Sequence, residues 1–228
     1  MRGGSVGLVA QSRSSRFPVG SYVNVQLSIG WAQWGVANED TLIPIKMRPG
    51  IPPRAWAGIL GGTGLTAYFG LLDIGRPQEG QVVVVSAAAG AVGSVAAQIA
   101  KRVCGCRVVG IAGGSIKCKW LVETLGLDAA VDYQSASFEQ DLKRHAEKVD
   151  VFFDNVGGKV LDAVLKRLNQ NARVVLAGAI SGMIQKAAPI ENLMQLIVKS
   201  ARMEGFVLVR FSYLLPLFFW TARTNLTC

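Results

Sequence analysis

The residues here that could do chemistry are mostly small ones. The stretch from Gln81 to Lys101 reads QVVVVSAAAGAVGSVAAQIAK, with Gly90 and Gly93 set three apart after four consecutive valines. A β-branched run of that length suits a strand buried on both faces of a parallel sheet. The alanine-rich stretch that follows favours helix. Strand, glycine turn and helix start together present backbone N–H groups and a positive dipole end to a phosphate. Glycine is needed where a Cβ would hold a pyrophosphate off the backbone or push the helix off the sheet. The usual first glycine is absent: Ala88 takes its place, so the pattern is Ala-x-Gly-x-x-Gly. A turn kept small only for packing would read the same way.

A second candidate group decides which dinucleotide such a turn would take. The next apolar run ends Gly110-Ile111-Ala112-Gly113-Gly114-Ser115-Ile116-Lys117. An acid at the end of that strand would hold a ribose 2′-hydroxyl and repel a 2′-phosphate. None is there. Two glycines, a serine hydroxyl and Lys117 are available instead. A lysine on a 2′-phosphate makes a charge-assisted bond of roughly 1.5–3 kcal/mol net. As a merely solvated side chain, Lys117 would sit on the first helical turn, the end where the dipole disfavours a cation. NADP is therefore favoured over NAD. Asn155, in Asp154-Asn155-Val156-Gly157-Gly158, follows a later strand and could bond a cofactor ribose or carboxamide; the plain alternative is a helix cap or turn residue. The run from Ala177 to Ser181 is small enough for close cofactor approach.

These residues need a scaffold of alternating strands and helices, and the chain supplies one. Strands are expected at 107–112, 130–132, 149–154, 173–177 and 203–209 after the valine run. Helices are expected at 117–125, stopped by Gly126, and at 137–147, 159–168 and 190–199. Six strands with crossover helices make a doubly wound parallel sheet. Upstream, residues 1 to about 50 are rich in Gly, Ser and Val, with strand-like pieces at 6–11, 22–27 and 32–38. The first of those strands is expected to lack partners. Pro49, Pro52 and Pro53 close this region, and 54–74 reads as helix broken around Gly61 to Gly64. Beyond Arg210 the composition changes to a Leu/Phe-rich run with Pro216 inside it, which opposes a helix; an exposed aggregation-prone end is expected there.

Bulk properties exclude several classes. The chain has 228 residues, 50% of them hydrophobic, and a net charge of +9. The basic residues are scattered, with no aromatic-interleaved cluster, so nucleic acid is not the expected partner. No apolar stretch reaches the roughly 20 residues needed to span a bilayer. The first residues lack the apolar segment of a secretion signal, and the expected location is cytoplasmic. Four cysteines at 104, 106, 118 and 228 form no Cys-x-x-Cys pair, and His145 is the single histidine. A His-containing zinc cluster or a Ser-His-Asp site has almost nothing to be built from. His145 reads as a solvated helix residue and the cysteines as free thiols.

The strings GLTAYFGLLDIG, VVVVSAAAGAVGSVAAQIAK, RVVGIAGGSIKCKWL, DNVGGKVLDAVL, VVLAGAIS and ARMEGFVL together resemble the zinc-independent medium-chain dehydrogenase/reductases. Within that family they look most like the NADP-dependent alkenal and prostaglandin/leukotriene-type reductases. The resemblance covers nearly all of residues 5 to 210. It implies an α/β fold, with a doubly wound parallel (Rossmann) sheet at 76–210. At 1–75 it implies a partial GroES-like β-barrel segment of the catalytic domain with its connecting helix, and 211–228 is left as an atypical tail. It implies reduction of the C=C bond of α,β-unsaturated ketones or aldehydes with NADPH and no metal. It implies cofactor contacts from Thr66, from Gly90, Ala91, Val92 and Gly93, from Lys117, Tyr133 and Asn155, from Ala177, Gly178, Ala179, Ile180 and Ser181, and from the backbone at Phe206 and Val207. Tyr133 could flank the adenine, or be an ordinary half-buried strand tyrosine. The expected partner is a small enone or alkenal; a homodimer is compatible with the family, and neither nucleic acid nor membrane is expected.

Three departures stand out. Where the family has a tyrosine followed by asparagine after the fifth strand, this chain has Met183-Ile184. Loss of one such oxyanion donor costs about 2.7–4 kcal/mol in other enzymes. The family's chains begin before Met1, and the return to the barrel after Arg210 is replaced by the Leu/Phe-rich run. The sequence thus resembles a fragment or frameshifted copy of such a reductase. Three readings remain open: an enone reductase, a cofactor-binding remnant without turnover, and a quinone-type reductase of the same superfamily. No catalytic residue is assigned.

Overall fold

The computed structural model describes residues 4–25, 29, 32–184 and 188–208. The expected tail at 211–228 and the side chains of Met183 and Ile184 lie outside the described residues, and the strand expected at 203–209 runs instead over Arg202–Gly205, with 206–208 out of the sheet. The chain divides into two compact units, Met1–Leu65 and Thr66–Cys228, where the sequence suggested a boundary at 75/76.

In the first unit, strands β1 (Ser5–Leu8), β2 (Tyr22–Val25) and β3 (Leu42–Ile45) form an antiparallel sheet in that order. Val23 and Val25 point inward from β2 to pack with Phe17, Val9 and Leu42, a small apolar cluster. Two expectations are corrected here. The first strand does not lack a partner: β1 pairs with β2 from Ser5↔Val25 to Leu8↔Tyr22. Residues 32–38 form bends rather than a strand, with Trp34 and Val36 79% and 99% exposed. Among the described residues these pair with no strand, and Asn38 caps a short 3-10 turn, Glu39–Thr41, through the amide of Asp40. The strand comes later, as β3. Pro44 is tolerated in it because, among the described strands, β3 pairs only with β2. A short helix, α1 (Pro53–Ala57), follows, with Pro53 on its first turn.

The second unit is built on six parallel strands. They are β4 (Val82–Val85), β5 (Arg107–Ala112), β6 (Ala129–Asp132), β7 (Val149–Asp154), β8 (Leu168–Leu176) and β9 (Arg202–Gly205), in the order β6-β5-β4-β7-β8-β9. The helices are α2 (Gly62–Phe69), whose residues from Thr66 on belong to this unit, α3 (Ala91–Gln98), α4 (Ser115–Glu123), α5 (Phe138–His145), α6 (Gly158–Leu165), α7 (Ile180–Ile184) and α8 (Met194–Val198). This is the doubly wound order, and it reverses between β4 and β7. Alternate residues of each strand feed opposite apolar layers. Val83, Val85, Val108, Val151, Phe153 and Val175 pack with Leu71, Ala96, Ala97 and Leu121. Val84, Val109, Ile111, Phe152 and Val174 pack with Leu142, Val160, Leu161, Val164 and Leu165. Helices on both faces explain why the strands read as unbroken apolar runs.

Helix ends depart from the sequence reading in two ways. α2 and α3 each run on into a π-helical turn, Gly70–Gly75 and Ile99–Val103. The helix expected at 190–199 is shorter, as α8, because Asp162 on α6 takes the Glu191 and Asn192 amides and the Asn192 side chain. Backbone held by a side chain in this way is withheld from the helix.

Candidate functional site

All but one of the sequence-picked residues follow strands of one sheet, and they collect at its carboxyl edge. The turn after β4 carries Gly90, Ala91, Val92 and Gly93. The turn after β5 carries Lys117, Tyr133 follows β6, and Asn155 follows β7. Ala177, Gly178, Ala179, Ile180 and Ser181 follow β8, and Phe206 and Val207 follow β9. In an open α/β sheet this edge, beside the reversal of strand order, is where ligands bind. Thr66 is the exception. It lies half-buried within α2, upstream of the sheet.

The turn after β4 is shaped from the backbone up. Ala87 holds a left-handed conformation, φ +46°, uncommon for a residue with a Cβ. The chain then folds back: the Ala88 amide donates to the Ile111 carbonyl at 3.0 Å and the Gly90 amide to the Ala87 carbonyl at 2.8 Å. Gly90 opens α3 without any side-chain cap. The first amides of α3 thus have no partner inside the helix and face the site. A Cβ on Gly93 would stand 2.3 Å from the Ala87 carbonyl oxygen, so only glycine lets α3 start this close to the turn. The missing first glycine is also accounted for. The buried Ala88 methyl group packs against Gly110 on β5, where a Cβ would lie 3.0 Å from it. Gly110 on the neighbouring strand thus leaves room for the Ala88 methyl group.

The turn after β5 meets β6 at Tyr133. A Cβ on Gly113 would come within 2.9 Å of the Tyr133 ring, so the ring lies flush on bare backbone while Tyr133 stays 49% exposed. Lys117 is exposed on the first turn of α4. A carboxylate does reach this turn, from the neighbouring strand β6, a role the sequence reading did not give it. Asp132, the last residue of β6, accepts the Gly114 and Gln134 amides at 2.9 Å each. Those amides hold its carboxyl below the usual carboxylate value. Its negative charge is thus engaged with backbone, and Lys117 remains as the solvent-facing charge of the turn.

Asn155 does not cap α6; Gly157 occupies that position. Its side-chain amide instead donates to the Ser86 carbonyl at 2.8 Å and its backbone amide to Ser86 Oγ at 2.8 Å. The sequence reading passed over Ser86 and Asp154, the two fully buried polar residues of this edge. The signal was legible: an acid closing the apolar run VDVFFD, in line with a serine closing VVVV. The loop after β8 is stitched to the loop after β7 by Ser181 Oγ, which donates to the Val156 carbonyl at 2.6 Å. Phe206 lies against Gly70, where a Cβ would come within 2.6 Å of its ring.

His145 lies elsewhere. It closes α5, and its carbonyl accepts a bond from Arg107 at the amino end of β5, the opposite edge of the sheet. Cys104, Cys106 and Cys118 are free thiols, and burial pushes Cys106 up to about 11. Among the described residues no group of three His, Cys, Asp or Glu is placed to hold a metal ion. No helix among them is long and apolar enough to cross a membrane.

This edge can cradle a dinucleotide phosphate on α3 and present a cation beyond β5, and known proteins resemble the chain accordingly. A family model described as zinc-binding dehydrogenase matches residues 91–220. The NADPH-dependent curcumin reductase of Escherichia coli is 39% identical over 218 residues, which are 92% of this chain and 62% of that protein. Prostaglandin reductase 1 of Mus musculus is 37% identical, with 100% of this chain and 72% of that protein aligned. The crystal structure of CurA from Vibrio vulnificus in complex with NADPH superposes with a TM-score of 0.82 at 39% identity, over 98% of this chain and 69% of that one. The chain thus spans less than two thirds of the curcumin reductase. With the doubly wound sheet and the motif set in agreement, the chain belongs to the medium-chain dehydrogenase/reductase family, in its zinc-independent branch of NADP-dependent alkenal and prostaglandin reductases.

Proposed function

We propose that this protein binds NADPH along the carboxyl edge of its six-stranded sheet and serves reduction of the C=C bond of α,β-unsaturated ketones or aldehydes, without a metal. The observation that carries the reading is the turn after β5. It has no acid of its own, the neighbouring Asp132 carboxylate is engaged with backbone amides, and it presents Lys117 to solvent. That arrangement suits a 2′-phosphate and disfavours the bare ribose of NADH. The names of the relatives, a curcumin reductase and a prostaglandin reductase, support the substrate class.

The residues present fit the cofactor. The bare backbone at Gly93 leaves room for a pyrophosphate over the first amides of α3. The exposed Tyr133 ring, seated on Gly113, offers a face to the adenine. Asn155 and the run from Ala177 to Ser181 line the far half of the edge, where a nicotinamide ribose would lie. When bound, NADPH supplies a hydride to the β-carbon of the conjugated substrate. The chain's own part is to orient the dinucleotide and hold water away from its reactive half.

The test is direct. NADPH should quench or shift in fluorescence on titration with the purified chain, with NADH bound more weakly. Turnover should appear as loss of reduced nicotinamide absorbance with 2-nonenal and not with a simple quinone. Quinone turnover alone would replace the reading with a quinone-type reductase. NADPH binding without turnover of either would support the remnant reading, in line with Met183-Ile184 standing where the family has tyrosine and asparagine.

A further inference from the structure

Asp154 ends β7 and is fully buried. Its Oδ1 accepts from Ser86 Oγ at 2.7 Å and from the Val156 amide at 3.0 Å, and its Oδ2 from the Gly157 amide at 2.9 Å. Its backbone carbonyl accepts the Ala177 and Gly178 amides at 2.8 and 3.2 Å. One residue therefore joins the loops that follow β4, β7 and β8. Among the described residues, no ion pair involves it. A buried carboxylate without a counter-ion is costly, and burial pushes this one up against the pull of the Ser86, Val156 and Gly157 bonds. An apolar side chain would close the strand more cheaply, so the cost points to a task. Each of its side-chain bonds ends on a group that shapes the cofactor edge. Ser86, held by Asp154, in turn accepts the Asn155 amide and faces its side chain.

We propose that Asp154 is a positioning residue. Acting through Ser86 and the Gly157 amide, it fixes the Asn155 side chain relative to the turn after β4, so that both meet the pyrophosphate and nicotinamide half of the dinucleotide. This rests on the cofactor reading above. The Gly113, Lys117 and Tyr133 end of the site is held separately, by Asp132. The two halves should therefore respond differently to loss of Asp154.

Asp154→Asn keeps the shape but turns an N–H₂ group toward either the Gly157 amide or the Ser86 and Val156 donors. Ser86→Ala removes the link at its middle. The full chain and both variants are titrated with NADPH and, separately, with adenosine 2′-monophosphate, which carries the adenine and 2′-phosphate alone. Both variants should bind NADPH about 10-fold more weakly and adenosine 2′-monophosphate within about twofold of the unaltered chain. In the unliganded variants the Asn155 amide should exchange faster with solvent, while the Gly114 amide keeps its rate. Equal weakening of both ligands would mean general loosening and overturn the proposal. So would unchanged NADPH affinity in Asp154→Asn, or in Ser86→Ala should the first variant not fold. If the unaltered chain binds no NADPH, the cofactor reading and this proposal both fall. If the unaltered chain binds NADPH but the variants bind it as tightly, or lose both ligands equally, the proposal alone is overturned.

Discussion

Lys117 occupies the first turn of α4, where the helix dipole opposes a cation and no carboxylate pairs with it among the described residues. A 2′-phosphate would supply the missing partner. Lys117→Ala should therefore weaken NADPH by about 10-fold, leave NADH within about twofold, and leave the thermal midpoint unchanged; paired titrations with the two dinucleotides check this. An equal loss for both would move Lys117 from recognising the 2′-phosphate to general attraction of anions. The residue types of this turn were readable from the order of glycine, serine and lysine. Asp132 was not, because it arrives from β6 and only the pairing of β5 with β6, Ala112 beside Asp132, brings it there.

At the scale of elements, carboxylates hold the ends of the strands. Asp128 takes the Val108 amide and pairs with Lys101, Asp132 holds the turn after β5, and Asp162 holds the segment before α8. Each carboxyl lies below its usual value of 3.8. For Asp128 and Asp162 burial raises the carboxyl, but the hydrogen bonds outweigh it; for Asp132 the amides of Gly114 and Gln134 dominate. A carboxyl depressed by folding adds stability that is present above the unfolded value and lost as pH falls through the folded one. Asp154, raised by burial, runs the other way, since protonation relieves it. The thermal midpoint should hold from neutral pH down to about 5 and fall below about 4. Asp132→Asn, which keeps an acceptor for both amides, should flatten part of that acid limb. A limb of unchanged slope would remove Asp132 from the linkage. The strands themselves were legible because buried parallel strands read as apolar runs, and β5 and β7 match their expected bounds. The π-helical turns and the short α8 were not; α8 answers to the Asp162 side chain, not to local propensity.

Over the whole molecule the two units differ in what they bury. Among the described residues the cluster of the first holds three buried apolar residues, Phe17, Val23 and Val25, while the second packs two layers across a six-stranded sheet. Few buried contacts mean low local stability. In hydrogen exchange the amides of β1 to β3 should therefore exchange before those of β4, β5, β7 and β8, and protease should cut first within 4–65; simultaneous exchange would show the first unit to be as stable as the second. The sequence by itself determined the doubly wound sheet and carried the proposal of NADP, because both are written locally, in runs of valine, in the spacing of glycines and in a turn that holds Lys117 and no acid. It misplaced the third strand of the first unit, since an antiparallel half-buried strand depends on which segment finds a strand to pair with, and among the described strands 32–38 pairs with none. Only the tertiary structure decided how the edge is held together. Ser86 and Asp154 lie 68 residues apart in the chain and meet because β4 and β7 pair in parallel, at the place where strand order reverses.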